Sequence, residues 1–288
     1  MERVLITGAS GFIGRSLVGV LSNTSWEVLP FVRGASGLEN EIVVDLCSQD
    51  LIQRIDKLPR IDAIVHLGAL IGWDDVSKEA MLKTNVDATA RLSSWAKAKG
   101  AYFLFASMAL VYGAANTFIT SASRLNPDTE YGRSKLLAED AVRTSGVNCA
   151  IIRMAGVFGK DGPRHLGINR AIADSLAGRP VVQYGDGNIR RNYIYVEDMA
   201  QTMKFFIDNK TVGTHLAAGA HINTIAGMLQ IICDVLRPGS IPEHREGEKS
   251  YDQIVERSCV LPKDRSFKEA IIDIKYRSEM AQACPRSR

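Results

Sequence analysis

An α/β fold, a doubly wound and mostly parallel sheet with a small C-terminal lobe, is what this chain of 288 residues predicts. Three observations carry that expectation. Short apolar runs alternate with helical patterns through the first half, and a glycine-rich turn joins the first run to the first helix. After Gly159 the alternation gives way to stretches that mix glycine, proline and charge. Alternation of this kind builds βαβ units, whose strands are covered on both faces and so read as unbroken apolar runs.

In order along the chain, RVLITG opens the sheet and FIGRSLVGVLS follows as an amphipathic helix. WEVLPFV and EIVVDL are the next strands, and DLIQRIDKL is the helix after them. IDAIVHLGA, the long helical stretch KEAMLKTNVDATARLSSWAKAKG, AYFLFAS and NCAIIRM complete the pattern. The expected division is a dinucleotide-binding domain over 1–159, to which later segments add part of the sheet, a substrate lobe over 160–280 and a frayed tail over 281–288.

Composition excludes several classes of function. With 35 Lys and Arg against 32 Asp and Glu spread along the chain, the balance is too even for nucleic-acid or membrane-surface binding. Cys47, Cys149, Cys233, Cys259 and Cys284 are scattered, and neither they nor His165, His215, His221 and His244 show metal-ligand spacing. They read as free thiols in a reducing compartment, with no bound metal. The opening MERVLITGAS begins a strand and is not a signal peptide, and no run is apolar enough to span a bilayer. A cytoplasmic protein is expected.

The glycine turn points to a ligand. TGASGFIG sets Gly8, Gly11 and Gly14 at GxxGxxG spacing between strand and helix, with Ser10, Phe12 and Ile13 among them. Glycines there keep the turn tight and let the backbone approach a pyrophosphate aimed at the helix N-terminus. A purely structural turn is the competing reading. Where the second strand ends, an acid would mark NAD, but Val32 stands there, followed by Arg33. An arginine suits a ribose 2′-phosphate through a contact worth roughly 1.5 to 3 kcal/mol, so NADP is expected ahead of NAD. Asp45, beside Leu46, suits either the adenine amino group or the cap of the helix near Gln49.

Tyr131 and Lys135, in YGRSK, share one face of a helix. A phenol titrates near 10, so a nearby ammonium would be needed to hold it acidic. The pair alone reads as a piece of surface helix, but it follows Pro127, the glycine turn, Asn85 in TNVDAT and the apolar strand ending SMALVYG, a combination that chance does not supply.

Together these segments resemble the extended short-chain dehydrogenase/reductases, the NAD-dependent epimerase/dehydratase family, which act mainly on nucleotide-linked sugars. The likeness covers nearly the whole chain: TGASGFIG resembles the cofactor turn, HLGA the end of the fourth strand, SMALVYG the active-site strand and PDTEYGRSK the catalytic helix. IIRMAGVFG and YGDGNIRRNYIYVEDMA resemble the segments of the substrate lobe, the latter read in the family as GDGxxxRDFxYVxD.

The resemblance implies a Rossmann-type domain whose cofactor lies along the turn and along Leu67, Gly68 and Ala69. It implies Tyr131 as general acid/base, Lys135 as its partner and ribose ligand, Asn85 as a backbone brace and Arg191 as the contact for the substrate diphosphate. Asp198 is expected as a helix N-cap, and His66 as structural.

Two positions depart from the family pattern. Met108 replaces a hydroxyl that polarises the reacting carbonyl, and a thioether cannot donate a hydrogen bond. Ser107, one residue earlier on the other strand face, and Thr129 are the candidate replacements. Gly156 replaces an asparagine that contacts substrate, so the sugar-binding wall should differ.

Hydride transfer at a sugar carbon of a nucleotide-linked hexose, as a keto-sugar reductase or epimerase, is the implied reaction. Reduction of another small carbonyl substrate and a non-catalytic dinucleotide sensor are the alternatives. A homodimer through helices near 78–98 and 131–144 is implied in the same way. Trp73, in IGWDD, suits either a packed loop or stacking on a substrate, Asp74 and Asp75 are expected as solvated loop charges, and the glycines of RGASG suit closure over an adenosine phosphate.

Overall fold

Seven strands form the central sheet: Arg3–Thr7 (β1), Glu27–Val32 (β2), Ile42–Val43 (β3), Ala63–His66 (β4), Tyr102–Met108 (β5), Cys149–Met154 (β6) and Gly213–Ala217 (β7). Their order is β3-β2-β1-β4-β5-β6-β7, and each neighbouring pair is parallel. The computed structural model describes residues 1–72, 76–247 and 251–283. Trp73, Asp74, Asp75 and Cys284 lie outside the described residues.

Successive residues of a strand face opposite sides, and here each side has its own core. Leu5, Ile64, Phe103, Phe105 and Ile151 pack with Leu92 and Ala138 on one face. Ala88–Lys99 (here α2) and Glu130–Ser145 (α3) supply those last two residues. Val4, Ile6, Val65, Leu104 and Ile152 pack on the other face with Leu17 and with Met199 and Phe206. These come from Phe12–Leu21 (α1) and Val196–Asn209 (α4). Two covered faces are why the strands read as continuous apolar runs.

The lobe has a third core, in which Phe158, Ile172, Ile232 and Ile271 meet. It is built from Gly167–Leu176, Ile225–Leu236 and Phe267–Ala283. Between the first two of these helices the chain returns to the sheet through α4 and β7. The Trp26 indole N–H donates to Asp208 Oδ1 at 2.8 Å, tying α4 to β2. The last helix runs through residues 281–283, which were expected to be frayed, because Phe267, Ala270, Ile271, Ile274 and Ser278 bury one of its faces.

Strand order reverses between β1 and β4, since the chain winds outward in one direction from β1 and in the other from β4. Crevices at the carboxyl ends of such a pair are where open α/β sheets receive ligands. Gly8 follows β1 there and Leu67 follows β4.

Candidate active site

A cleft of about 910 Å³ runs along this crevice from the glycine turn to Tyr131 and Lys135, and on to Arg191 of the lobe. That is at the upper end of the range for ligand pockets, roughly 300 to 1,000 Å³. The turn at its floor tolerates no side chain at two positions. A Cβ on Gly14 would lie 2.3 Å from the Gly8 carbonyl oxygen, and one on Gly8, at φ +67°, 2.8 Å from the Gly68 nitrogen. Gly11 sits at the N-cap of α1 and no side chain caps that helix. Its N-terminal end is open toward the cleft, a setting that favours an anion.

Behind the turn, one oriented hydrogen-bond chain joins β1, β4 and the following helices. Gly68 N–H donates to Thr7 Oγ1 at 3.0 Å, Thr7 Oγ1 lies 2.6 Å from His66 Nδ1, and His66 Nε2 lies 2.9 Å from Thr89 Oγ1. Thr89 Oγ1 in turn donates to the Asn85 carbonyl at 2.7 Å. The only consistent arrangement is a neutral His66 protonated on Nε2. Burial first, and then the nearby Lys135 charge, push its pKa down to about 3. His66 is structural, as the sequence suggests.

Asn85 lies in a π-helical segment, Lys83–Asp87. Its Oδ1 accepts from Leu70 N–H at 2.7 Å, while Nδ2 donates to the Leu70 carbonyl and to Ser134 Oγ, each at 2.9 Å. The asparagine thereby clamps the loop after β4 to the first turn of α3. The extra residue per turn of a π-segment re-aims side chains, and such segments often occur at functional sites.

Tyr131 and Lys135 both line the cleft from α3. Gly132 between them lets α3 approach the turn after β5, because a Cβ there would meet the Leu110 carbonyl oxygen at 2.9 Å. Lys135 is 3% exposed, and its ammonium sits 4.3 Å from the centre of the Phe105 ring. Burial pushes its pKa down to about 7, opposed by Glu139. Burial also pushes the Tyr131 phenol up to about 12. Desolvation thus drives both groups toward their neutral forms, the opposite direction at Tyr131 from that expected of an acidified phenol.

The structure does not bring Ser107 or Thr129 to the place left by Met108. Ser107 is fully buried and its Oγ donates to Glu139 Oε1 at 2.5 Å. Arg153 holds the same carboxylate with Nε at 3.0 Å and Nη2 at 2.6 Å, and gives Nη1 to the Tyr112 hydroxyl at 2.6 Å. Burial disfavours the Glu139 carboxylate, but Arg153, Ser107 and Arg143 outweigh it and hold it below the usual range. Ser107 belongs to that ionic core because strand side chains alternate and Met108, not Ser107, faces the cleft.

Thr129 is exposed and caps α3, its Oγ1 accepting from Gly132 N–H at 3.0 Å. Thr129→Ala should therefore lower stability by about 1 kcal/mol, as lost N-caps do, and leave substrate binding unchanged. Paired urea melts and ligand titrations check this, and a selective loss of substrate affinity would contradict the cap assignment.

Asp198 is likewise not an N-cap. It lies within the first turn of α4, whose N-cap is Tyr195, with its carboxylate accepting from the Arg265 backbone N–H at 2.9 Å and from Nη1 at 2.6 Å. Asp45 caps no helix either, since its Oδ1 accepts from Cys47 N–H at 2.8 Å and the next helix starts only at Leu51. It remains on the cleft with Leu46, beside exposed Arg33 and buried Val32. The loop after Arg33 folds on Glu41, whose carboxylate accepts from Ser36 and Leu38 N–H groups.

At the far end, Arg191 Nη1 donates to the Tyr251 carbonyl at 2.6 Å while its side chain lines the cleft. Gly156 also lines it, covered by the ring of Tyr193. Tyr193, Thr84, Cys47 and His165 are cleft residues that sequence reasoning passed over. For Tyr193 a signal existed, because it replaces the phenylalanine of RDF two residues after Arg191. Among the described residues no cluster of three metal-ligating side chains occurs, and no helix is long and apolar enough to cross a membrane.

Comparison with known proteins agrees with this architecture. The chain is 26% identical over 267 residues to UDP-glucuronic acid decarboxylase 1 of Arabidopsis thaliana, covering 84% of this chain and 60% of that protein. It is 26% identical over 282 residues to the ADP-L-glycero-D-manno-heptose-6-epimerase of Alkalilimnicola ehrlichii, covering 87% and 88%. Its fold matches that of UDP-glucuronic acid 4-epimerase from Bacillus cereus in complex with NAD, with a TM-score of 0.81 at 19% identity over 97% of this chain and 99% of the other. The family model described as NAD dependent epimerase/dehydratase family matches residues 4–223, so the chain belongs to that family of enzymes.

Proposed function

We propose that this chain binds NADP or NAD and acts by hydride exchange at a sugar carbon of a nucleotide-linked hexose, as a keto-sugar reductase or an epimerase. The observation that carries this is the single cleft joining the glycine turn to Tyr131, Lys135 and Arg191. The residues present fit a dinucleotide: Gly8 and Gly14 leave no room for a side chain, and the uncapped start of α1 faces the space above them. Ser10, Gly11, Phe12 and Ile13 would hold the pyrophosphate, Arg33 and Asp45 with Leu46 the adenosine end, and Leu67, Gly68 and Ala69 the middle. When bound, the nicotinamide supplies a hydride donor or acceptor.

The protein's own part is proton transfer and positioning. Tyr131, neutral at physiological pH, donates its phenolic proton to the oxygen of a carbonyl under reduction and takes it back in the reverse direction. Lys135, partly charged near pH 7, supports the phenolate while the proton is away. The Arg191 guanidinium is suited to a diphosphate, which it can meet with two parallel N–H donors.

Exposed Arg33 beside buried Val32 supports NADP, whereas the Bacillus cereus neighbour carries NAD. A second reading, a dinucleotide sensor without turnover, draws support from Met108 and from Ser107 being committed to Glu139. A homodimer through α2 and α3 belongs to the proposal, supported by Leu137, which lies on α3 and is 49% exposed.

One experiment separates these readings. Small molecules released from the purified protein are identified, NAD(H) and NADP(H) affinities are titrated, and UDP-glucuronic acid, UDP-glucose, ADP-L-glycero-D-manno-heptose and their 4-keto derivatives are tested both by absorbance at the reduced-nicotinamide band, for net reduction, and by chromatography of the sugar products, for epimerisation. Turnover with any of them is the expected result. Tight dinucleotide binding without turnover would favour the sensor, and no dinucleotide binding would overturn both.

A further inference from the structure

Among the described residues that line the cleft, five are of hydroxyl-bearing types: Ser10, Thr84, Ser107, Tyr131 and Tyr193. Three of them are spoken for or remote. Ser107 is bonded to Glu139, Thr84 Oγ1 is 3.0 Å from Cys47 Sγ, and Ser10 sits in the glycine turn at the opposite end. Tyr193 is left as the second phenol of the site.

Its place is determined by Gly156. A Cβ built on Gly156 would lie 2.4 Å from Tyr193 Cδ1 and 2.5 Å from Cε1, so the ring fills the space that any side chain at 156 would need. The backbone holds it there: Ile194 N–H donates to the Gly156 carbonyl at 3.0 Å, and the Tyr193 carbonyl oxygen is so close to Gly219 that a Cβ there would approach it to 2.3 Å. Gly156 is two residues beyond Met154, the register partner of Met108. The ring therefore stands at the same sheet end as the thioether that cannot donate a hydrogen bond.

The Arg191 guanidinium is close enough to the Tyr193 phenol to act on it electrostatically. A guanidinium can only donate, so a phenol beside it keeps its own O–H to give away. Burial, only partly opposed by Arg191, pushes the phenol above its ordinary range, so it keeps its proton at neutral pH.

We infer that Tyr193, seated on Gly156 in the cleft beside Arg191, is the residue that reads the sugar of the substrate, donating its phenolic hydrogen to a sugar oxygen next to the diphosphate. The inference rests on the nucleotide-sugar reading above. It makes Tyr193 and Gly156 one specificity unit, the ring serving as the wall that a longer residue at 156 would otherwise form.

The test is calorimetric titration of the full chain and of Tyr193→Phe with UDP-glucuronic acid, UDP-glucose and ADP-L-glycero-D-manno-heptose, and with UDP and ADP as diphosphates lacking the sugar. Phenylalanine keeps the ring on Gly156, so the variant should fold as the parent does. The expected result is about a tenfold weaker affinity for the nucleotide sugar that the parent binds, as for one lost hydrogen bond, with UDP or ADP affinity unchanged. Gly156→Ala, which must displace the ring, should lose sugar affinity in the same way. Equal affinity of Tyr193→Phe and parent for the sugar nucleotide, or an equal loss for the bare diphosphate, would overturn the inference alone. Failure of the parent to bind any of the three sugar nucleotides would instead overturn the proposed substrate class, and this inference with it.

Discussion

Tyr131→Phe should lose between about a hundredfold and ten-thousandfold in turnover, the range by which a positioned general acid or base speeds a reaction, while folding as stably as the parent. The two halves of that expectation have separate causes. Among the described residues no hydrogen bond is made to the Tyr131 hydroxyl, so removing it leaves no buried partner unsatisfied and the phenyl ring keeps its packing. The proton it carries is another matter. With the phenol pushed up to about 12 by burial, Tyr131 holds that proton throughout the physiological range and delivers it only to an oxygen that is becoming strongly basic, such as a developing alkoxide. Steady-state rates with the substrate found in the panel above, together with dinucleotide titration and urea melts, check both halves. A variant that turns over within a few-fold of the parent would remove Tyr131 from the chemistry.

Lys135→Met should be more stable than the parent at pH 7 and inactive. Lys135 is buried against Phe105, and its pKa falls from an ordinary 10.5 to about 7. The sign follows directly: between pH 7 and pH 10.5 the unfolded chain carries more protons than the folded one, so the parent gains stability as pH rises through that window. Below pH 7 the cost of burying the ammonium is fully felt, on the order of 5 kcal/mol by the linkage relation. Methionine matches the lysine stem without the charge, and Glu139 stays satisfied because Arg153 holds it through two nitrogens. Urea melts from pH 6 to pH 10 should show the variant ahead at low pH and the gap closing toward pH 10. A variant less stable than the parent at pH 7 would mean that the ammonium contributes more through Phe105 and Glu139 than its burial costs. A lysine retained at such a cost is the kind of local strain that functional sites keep.

Both predictions depend on burial, and burial is where reading the residues in order stopped short. The pair at 131 and 135 was legible because helical periodicity places residues four apart on one face, and the glycine turn because a strand, three glycines and a helix follow one another directly. The strands β1, β2, β4, β5 and β6 were legible as apolar runs. In EIVVDL only Ile42 and Val43 pair, because β3 is the sheet's edge and has a neighbour on one side only. The segment GTHLA, polar and exposed at its start, gave no strand signal, yet pairing with β6 makes it the opposite edge.

The direction of the pKa shift at Tyr131 went against expectation for a related reason. Burial raises the phenol directly, and it also lowers the pKa of Lys135, so the ammonium is only partly charged near pH 7. The hydroxyls at 107 and 129 were plausible donors by distance along the chain, but one faces a buried carboxylate 32 residues later and the other closes its own helix.

What the amino-acid order determined by itself is everything set within a turn or a strand: the parallel α/β architecture, the glycine turn, and a phenol and an amine on one helix face. Only the tertiary structure decided which groups are dry, which hydroxyls are already bonded, and that a ring at 193 fills the gap at 156. The reason is physical: backbone conformation and periodicity are local, whereas desolvation and hydrogen-bond satisfaction depend on neighbours brought together from distant parts of the chain.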